Sequence, residues 1–235
     1  MPRPAETQKS VRTLAIETSS ARGSVALLDD DGSVAAKAFG EGSRHGRKLL
    51  PCVNELLGGE PAGVGLVAVS AGPGSYTGLR VGITFAKTFA IETGVPVVGV
   101  SSLDAIAANV TQPCELCVVA DARLGKVFAA LYDLQGKKVL GDIAASPGEV
   151  AAGLQSGTLV IGGGLKRYRE IFAQAAEVSD DESIWWPTAV NVGRLGRAKF
   201  ADAGGEDPHA LVPRYLGRPQ AEVKWEQSQS ASGRK

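Results

Sequence analysis

Ser70-Ala71-Gly72-Pro73-Gly74-Ser75-Tyr76-Thr77-Gly78-Leu79-Arg80-Val81-Gly82 is the stretch whose reading decides the fold. The apolar run Leu66 to Val69 leads into it, and a run without helix breakers, Leu79 to Thr93, leads out. That is the pattern of a strand, a glycine-rich turn and a helix. Such a junction can hold an anion on free backbone N–H groups, or it can simply let a helix pack closely on a sheet. It is not a P-loop: the pair Lys87-Thr88 lies well inside the helix, with Val81 where the first glycine of that motif belongs. Nor is it the dinucleotide fingerprint, because Gly72, Gly74 and Gly78 are spaced one residue too long.

The following helix is expected over Tyr76 to Thr93. Gly78, Gly82, Ala86 and Ala90 recur every four residues and form a ridge of small side chains along one side. Leu79, Ile83, Phe85 and Phe89 line the flanking faces, so the helix is apolar nearly all round and must be buried on more than one side. One side can cover the preceding sheet. The other is covered either within the same domain or by a partner protein.

The rest of the chain reads as strands before helices. Leu14–Glu17, Ser24–Leu28 and Val34–Phe39 form three antiparallel strands, the last two joined at Asp31-Gly32. A helix near Lys48–Leu57, the strand Leu66–Val69, the small-residue helix and a strand Val95–Val100 complete a first unit. After a helix Leu103–Asn109 the order repeats: strands Leu116–Ala120, Val127–Tyr132 and Val139–Ala144, helix Pro147–Leu154, strand Leu159–Ile161, then Gly162-Gly163-Gly164 and helix Leu165–Ala175. A final helix is expected over Asn191–Ala203. This implies a duplicated α/β architecture, with a first domain over 11–108, a smaller second one over 109–219, and polar tails at 1–10 and 220–235.

At 235 residues, 44% hydrophobic and with zero formal net charge, the chain can build a sizeable core and carries no overall basic signature of a nucleic-acid binder. The first ten residues lack the apolar core of a signal peptide, and no stretch is long enough to span a membrane, so cytoplasm is the expected location. Cys52, Cys114 and Cys117 suggest no disulfide framework. Cys114-Glu115-Leu116-Cys117 lacks a second pair for zinc and runs into a strand that turns its two cysteines to opposite faces. No G-x-S-x-G elbow is present, and a triad on Ser75 would need His45 or His209, the only two histidines.

Leu14-Ala15-Ile16-Glu17-Thr18-Ser19, the segment Ser70 to Gly82, and Asp121-Ala122-Arg123 together resemble the TsaB (YeaZ) family, over about residues 11–220. The resemblance implies the two-domain actin-like ATPase fold of sugar kinases and heat-shock chaperones. It also implies a role in bacterial tRNA modification: a non-catalytic scaffold that pairs with TsaD, joined by TsaE, to enable threonylcarbamoyl transfer to N6 of the adenosine beside the anticodon. tRNA would be met indirectly through that complex, and self-association through the same helices is a further implication. The implied contact residues are Leu49, Val53 and Leu56 on one helix and Tyr76, Leu79, Arg80, Gly82, Ile83, Ala86, Lys87 and Ala90 on the other, with Arg80 and Lys87 facing acidic partner groups.

No cofactor, metal or catalytic residue is implied. The two histidine positions of the TsaD metal site fall on Ser102 and Ile106, of which serine is a poor ligand and isoleucine none. A nucleotide remains an alternative: in an actin-like site Ser19, Ser20 and Gly23 would meet phosphates, Asp121 would orient magnesium, and Gly162, Gly163 and Gly164 would flank adenosine. A stand-alone ATPase or kinase, and less so a peptidase-like hydrolase, are therefore the competing functions.

Overall fold

A computed structural model describes residues 11–40, 45–61 and 63–216. The expected polar tails and the side chain of His45 lie outside the described residues. Strands β1 (Thr13–Glu17), β2 (Gly23–Leu28) and β3 (Val34–Phe39) form an antiparallel meander. Helix α1 (His45–Leu57) leads to β4 (Leu66–Gly72), α2 (Tyr76–Thr93) and β5 (Val97–Ser101), whose strands add in parallel to give the order β3-β2-β1-β4-β5. The short α3 (Ser102–Ala107) crosses to a second sheet made of β6 (Leu116–Arg123), β7 (Lys126–Tyr132), β8 (Lys138–Ala145), β9 (Leu159–Ile161) and β10 (Glu177–Val178). Its order, β10-β9-β6-β7-β8, is the first sheet's order read from the other edge. Two copies of one topology, each three antiparallel strands followed by two parallel ones, make this the expected actin-like α/β fold. The two-residue β10 has no counterpart in the sequence reading.

The alternation of β1 shows how the first sheet serves two layers. Leu14 and Ile16 point to one face, where Val25, Leu27, Val67 and Val69 meet Leu49 and Val53 of α1 and Leu79 and Ile83 of α2. Ala15 points to the other, with Ala26, Ala68 and Val98. That face is covered by α6 (Ala189–Ala203), which approaches closely because Gly193 and Gly196 lack side chains: a Cβ on Gly196 would lie 2.5 Å from the Ala68 Cβ. After α6 the chain stays with the first sheet. Glu206 N–H donates to Val97 O at 2.8 Å, Leu211 enters the α1/α2-side core, and Arg214 N–H donates to Ala71 O at 2.8 Å. Residues 189–214 therefore pack with the first unit, which corrects the division that placed 109–219 together. Sequence order does not encode which sheet a late helix returns to.

The second sheet is covered by α4 (Pro147–Ala152) and α5 (Leu165–Ala173), through Val150, Ala151, Leu165 and Phe172. Helix α3 is shared: Leu103 and Ile106 enter the second core, while Ala105 enters the α6 layer of the first. A polar cluster also ties the units together. Lys138 Nζ lies 2.6 Å from both Asp104 and Asp142, the Ser101 hydroxyl donates to Asp142 at 2.8 Å, and the Tyr132 hydroxyl donates to Asp104 at 2.7 Å.

Candidate functional site

The glycine-rich turn resolves in favour of packing. Gly72 has φ of 104°, a left-handed conformation open to glycine, and the chain then folds back onto the β1–β2 hairpin. Ser75 N–H donates to Ser19 O at 2.7 Å, and a Cβ on Gly74 would collide with the Ser19 backbone. Gly78 lies as close to the Thr18 carbonyl, and Gly82 to the Thr18 hydroxyl, which donates to Gly78 O at 2.8 Å. The Ser75 hydroxyl caps α2 by accepting Gly78 N–H at 3.2 Å. The turn thus seals the start of α2 onto the end of β1.

That contact redraws the expected partner face. Gly82, Ala86 and Ala90, with Leu79 and Ile83, are buried against the chain's own sheet, as are Leu49 and Val53 of α1; Leu56 is half-buried against the same core. Lys87 is also engaged internally, donating to His209 O at 3.2 Å and Leu211 O at 3.1 Å. Of the expected contact residues only Tyr76 and Arg80 face outward. Arg80 Nη1 donates to the Tyr76 hydroxyl at 3.1 Å. Between α1 and α2 they border a groove of about 520 Å³ whose floor and walls include Leu50, Val81, Thr84 and Phe85. Leu50 is 61% exposed. The spacing of small residues identified a close contact, but the surface it meets is β1.

Between the two sheets lies a larger cleft of about 1060 Å³. Ser19, Ser20, Asp121 and Gly163 of the expected nucleotide set line it, whereas Gly23, Gly162 and Gly164 do not. Gly23 makes room for the Phe39 ring, and Gly162 and Gly164 let the chain pass against Val119, whose carbonyl accepts Gly164 N–H at 3.0 Å.

The hairpin's donors are already occupied. Glu17, fully buried, accepts the Ser19 N–H at 2.5 Å and the Ser19 hydroxyl at 2.6 Å through Oε1. Burial pushes the Glu17 carboxyl above its ordinary range, and the Ser19 hydrogen bonds pull it part of the way back. The Ser20 hydroxyl donates to Arg22 O at 2.7 Å and accepts Arg22 N–H at 3.1 Å. Asp121 accepts the N–H of Arg123 at 2.8 Å within its own turn, and its second oxygen lies 3.6 Å from the Arg123 guanidinium.

Trp186 occupies the glycine wall. A Cβ on Gly163 would lie 2.9 Å from its ring, which has the Arg22 guanidinium 5.0 Å and the Lys166 ammonium 5.2 Å from its centroid. Trp185 and Trp186 are absent from the sequence expectations; two tryptophans before a proline at the end of a polar loop are the signal that marks them. Ser102 and Ile106 are both engaged in packing, the former donating to Pro73 O and the latter buried in the second core. Burial pushes the Cys117 thiol up to about 12, so the C-x-x-C pair carries no ready thiolate. No helix among the described residues is long and apolar enough to cross a membrane.

The comparisons agree with this geometry. The model of the TsaD family, described as tRNA N6-adenosine threonylcarbamoyltransferase, matches residues 41–184. The tRNA threonylcarbamoyladenosine biosynthesis protein TsaB of Bacillus subtilis is 31% identical over 92% of this chain and 98% of its own. TsaB of Escherichia coli is 34% identical over 52% of this chain and 55% of its own. The solved YeaZ of Pseudomonas aeruginosa superposes with a TM-score of 0.75 at 29% identity, over 88% of this chain and all of that one. With its two sheets in one repeated order and a TsaB relative matched along nearly its whole length, the chain belongs to the TsaB family.

Proposed function

We propose that the protein is a non-catalytic scaffold in tRNA threonylcarbamoyladenosine biosynthesis, docking TsaD on the face formed by α1 and α2 and thereby enabling threonylcarbamoyl transfer to N6 of the adenosine beside the anticodon. TsaE joins this pair, and tRNA reaches the transfer site on TsaD. The observation that carries the reading is the apolar groove between α1 and α2, where Leu50, Val81 and Phe85 lie beside an exposed tyrosine and arginine. Aromatic and arginine anchors around an apolar centre are the usual makeup of a protein interface. The same face would serve a homodimer, in competition with TsaD.

A scaffold role is also supported by the cleft chemistry. Glu17 takes up the hairpin donors that an actin-like enzyme would offer a phosphate, and Trp186 covers the glycine wall. In the stand-alone ATPase reading those groups would have to be displaced before a nucleotide entered.

The test is copurification with TsaD and reconstitution with TsaD, TsaE, the threonylcarbamoyl donor system and unmodified tRNA. Leu50→Asp and Phe85→Asp should cut TsaD capture and tRNA modification at least tenfold, because each places a carboxylate in a desolvated groove. Leu50→Asp, at an exposed position, should leave the melting temperature of the isolated chain unchanged. If Leu50→Asp folds and supports wild-type capture and modification, the interface lies elsewhere. Magnesium-dependent ATP turnover by the chain alone would favour the ATPase reading.

A further inference from the structure

The cleft between the sheets is basic and aromatic, and docking TsaD on α1 and α2 uses only its rim. Among the described residues five cationic side chains line it: Arg123 and Lys126 from the β6–β7 turn, Lys166 and Arg167 from the first turn of α5, and Arg214 from the segment after α6. Asp121 is the one carboxylate among the described residues lining it, and Glu182 stands 3.6 Å from Lys166 just outside. A chain with zero formal net charge thus gathers its cations here from three distant segments. In a cleft, such a concentration of one sign of charge focuses the field on an anionic ligand.

Aromatic rings stand among these cations. Tyr76 and Tyr215, each 47% exposed, stack at the mouth with ring centroids 5.1 Å apart. Phe128 and Trp186 line the walls further in. An acidic protein segment would be satisfied by the cations alone. Exposed stacked rings between cations instead match a polyanion with a flat face on every repeat. An adenine nucleotide fits less well, because Trp186 covers the glycine wall and the hairpin donors are held by Glu17.

We infer that this cleft binds a single-stranded stretch of RNA directly, its phosphates against the Lys126 and Arg167 sides and its bases on the Tyr76–Tyr215 platform. Stacking platforms beside a cationic groove are the general means of holding unpaired nucleic acid. The inference is separable from the α1/α2 docking face, since it concerns the chain alone and its lining shares only Tyr76 and Thr77 with that groove.

Fluorescence anisotropy of the full chain with a labelled oligouridylate and with an unmodified tRNA transcript tests it. Binding should saturate and weaken with salt, the logarithmic slope rising by about 0.7 for each phosphate contacted on a single strand. Lys126→Glu with Arg167→Glu should lower affinity at least tenfold and flatten that slope. Tyr215→Ala should lower affinity several-fold while leaving the slope unchanged. All three substitutions are at exposed positions, and TsaD capture by the charge-reversed pair, which lies away from the α1/α2 groove, should equal wild type, which separates failure of this site from failure of the docking face.

Four results would overturn the inference. These are no saturable RNA binding, equal binding by the charge-reversed pair and by Tyr215→Ala, tighter binding of a glutamate-rich peptide than of RNA, and a mononucleotide that binds as well as the oligouridylate. If the charge-reversed pair fails to fold, Tyr215→Ala decides alone.

Discussion

Replacing Gly82 by alanine sets two elementary effects against each other. In an isolated helix the change is favourable by about 1 kcal/mol, because glycine gives up more backbone freedom than alanine. In this protein the added methyl would overlap the Thr18 hydroxyl, while its next neighbours, Ile16 Cγ2 and Thr18 Cβ, stay at an acceptable 3.5 Å. The hydroxyl must rotate, which breaks its 2.8 Å bond to Gly78 O and leaves it buried without a partner. The lost bond costs roughly 1–3 kcal/mol and the overpacking a further 1–3 kcal/mol. Against the propensity gain, the net loss is about 1–5 kcal/mol, or roughly 2–20 °C in melting temperature at about 2–4 °C per kcal/mol for a chain of this size.

Thr18→Ala removes the obstructing oxygen. In that background Gly82→Ala should become neutral or stabilising by up to about 1 kcal/mol. The sign of the substitution should therefore reverse between the two backgrounds, as read from urea midpoints of the four proteins in the cycle. A Gly82→Ala protein more stable than wild type would refute the close approach of α2 to β1. So would a loss of TsaD capture with stability unchanged, since that would place Gly82 on an outer surface.

Two further perturbations probe the buried polar groups. Glu17 has a carboxyl pKa raised by burial, so its contribution to stability is present below the unfolded value near 4.5 and is lost as pH climbs through the raised folded value. Glu17→Gln, neutral throughout, should flatten the fall in urea midpoint from pH 4.5 to neutrality; a fall as steep as wild type would assign that dependence to other groups. Lys138→Met leaves Asp104 and Asp142 facing each other across the two units. Breaking a fully buried pair costs about 3–5 kcal/mol, and partial exposure reduces this to roughly 1–3 kcal/mol. Lys138→Met with Asp104→Asn should recover part of the loss, and an unchanged midpoint in Lys138→Met would remove the cluster from any role in joining the units.

The sequence made the elements legible wherever periodicity was strong. The β1–β2–β3 meander, the turn at Asp31-Gly32, and the unbroken apolar run of α2 appear where the pattern places them. What periodicity cannot specify is the identity of the opposing surface. A small-residue ridge permits close approach to any flat neighbour, and here that neighbour is Ile16 of β1 and Thr18 just past its end. Likewise the Gly193 and Gly196 spacing on α6 signals a tight contact, but the small residues it meets, Ala15 and Ala68, lie far back in the chain.

The candidate nucleotide residues were legible as turn chemistry, yet whether a hairpin donor is free depends on a side chain two residues away. Glu17 reaching Ser19 across the turn is a local contact with no distinguishing pattern. The cationic cleft was the least legible feature of all. Its charges come singly from separated turns and leave the composition balanced.

The return of α6 to the first sheet constrains how the molecule is made. Synthesis delivers β1 to β5 early, but the alanine-lined face of that sheet stays open until residues 189–203 have left the ribosome. The second sheet, complete at β10, can close first although it is made later. The first-made half is thus the last to finish, and a nascent chain halted before α6 presents an uncovered apolar sheet to chaperones and proteases.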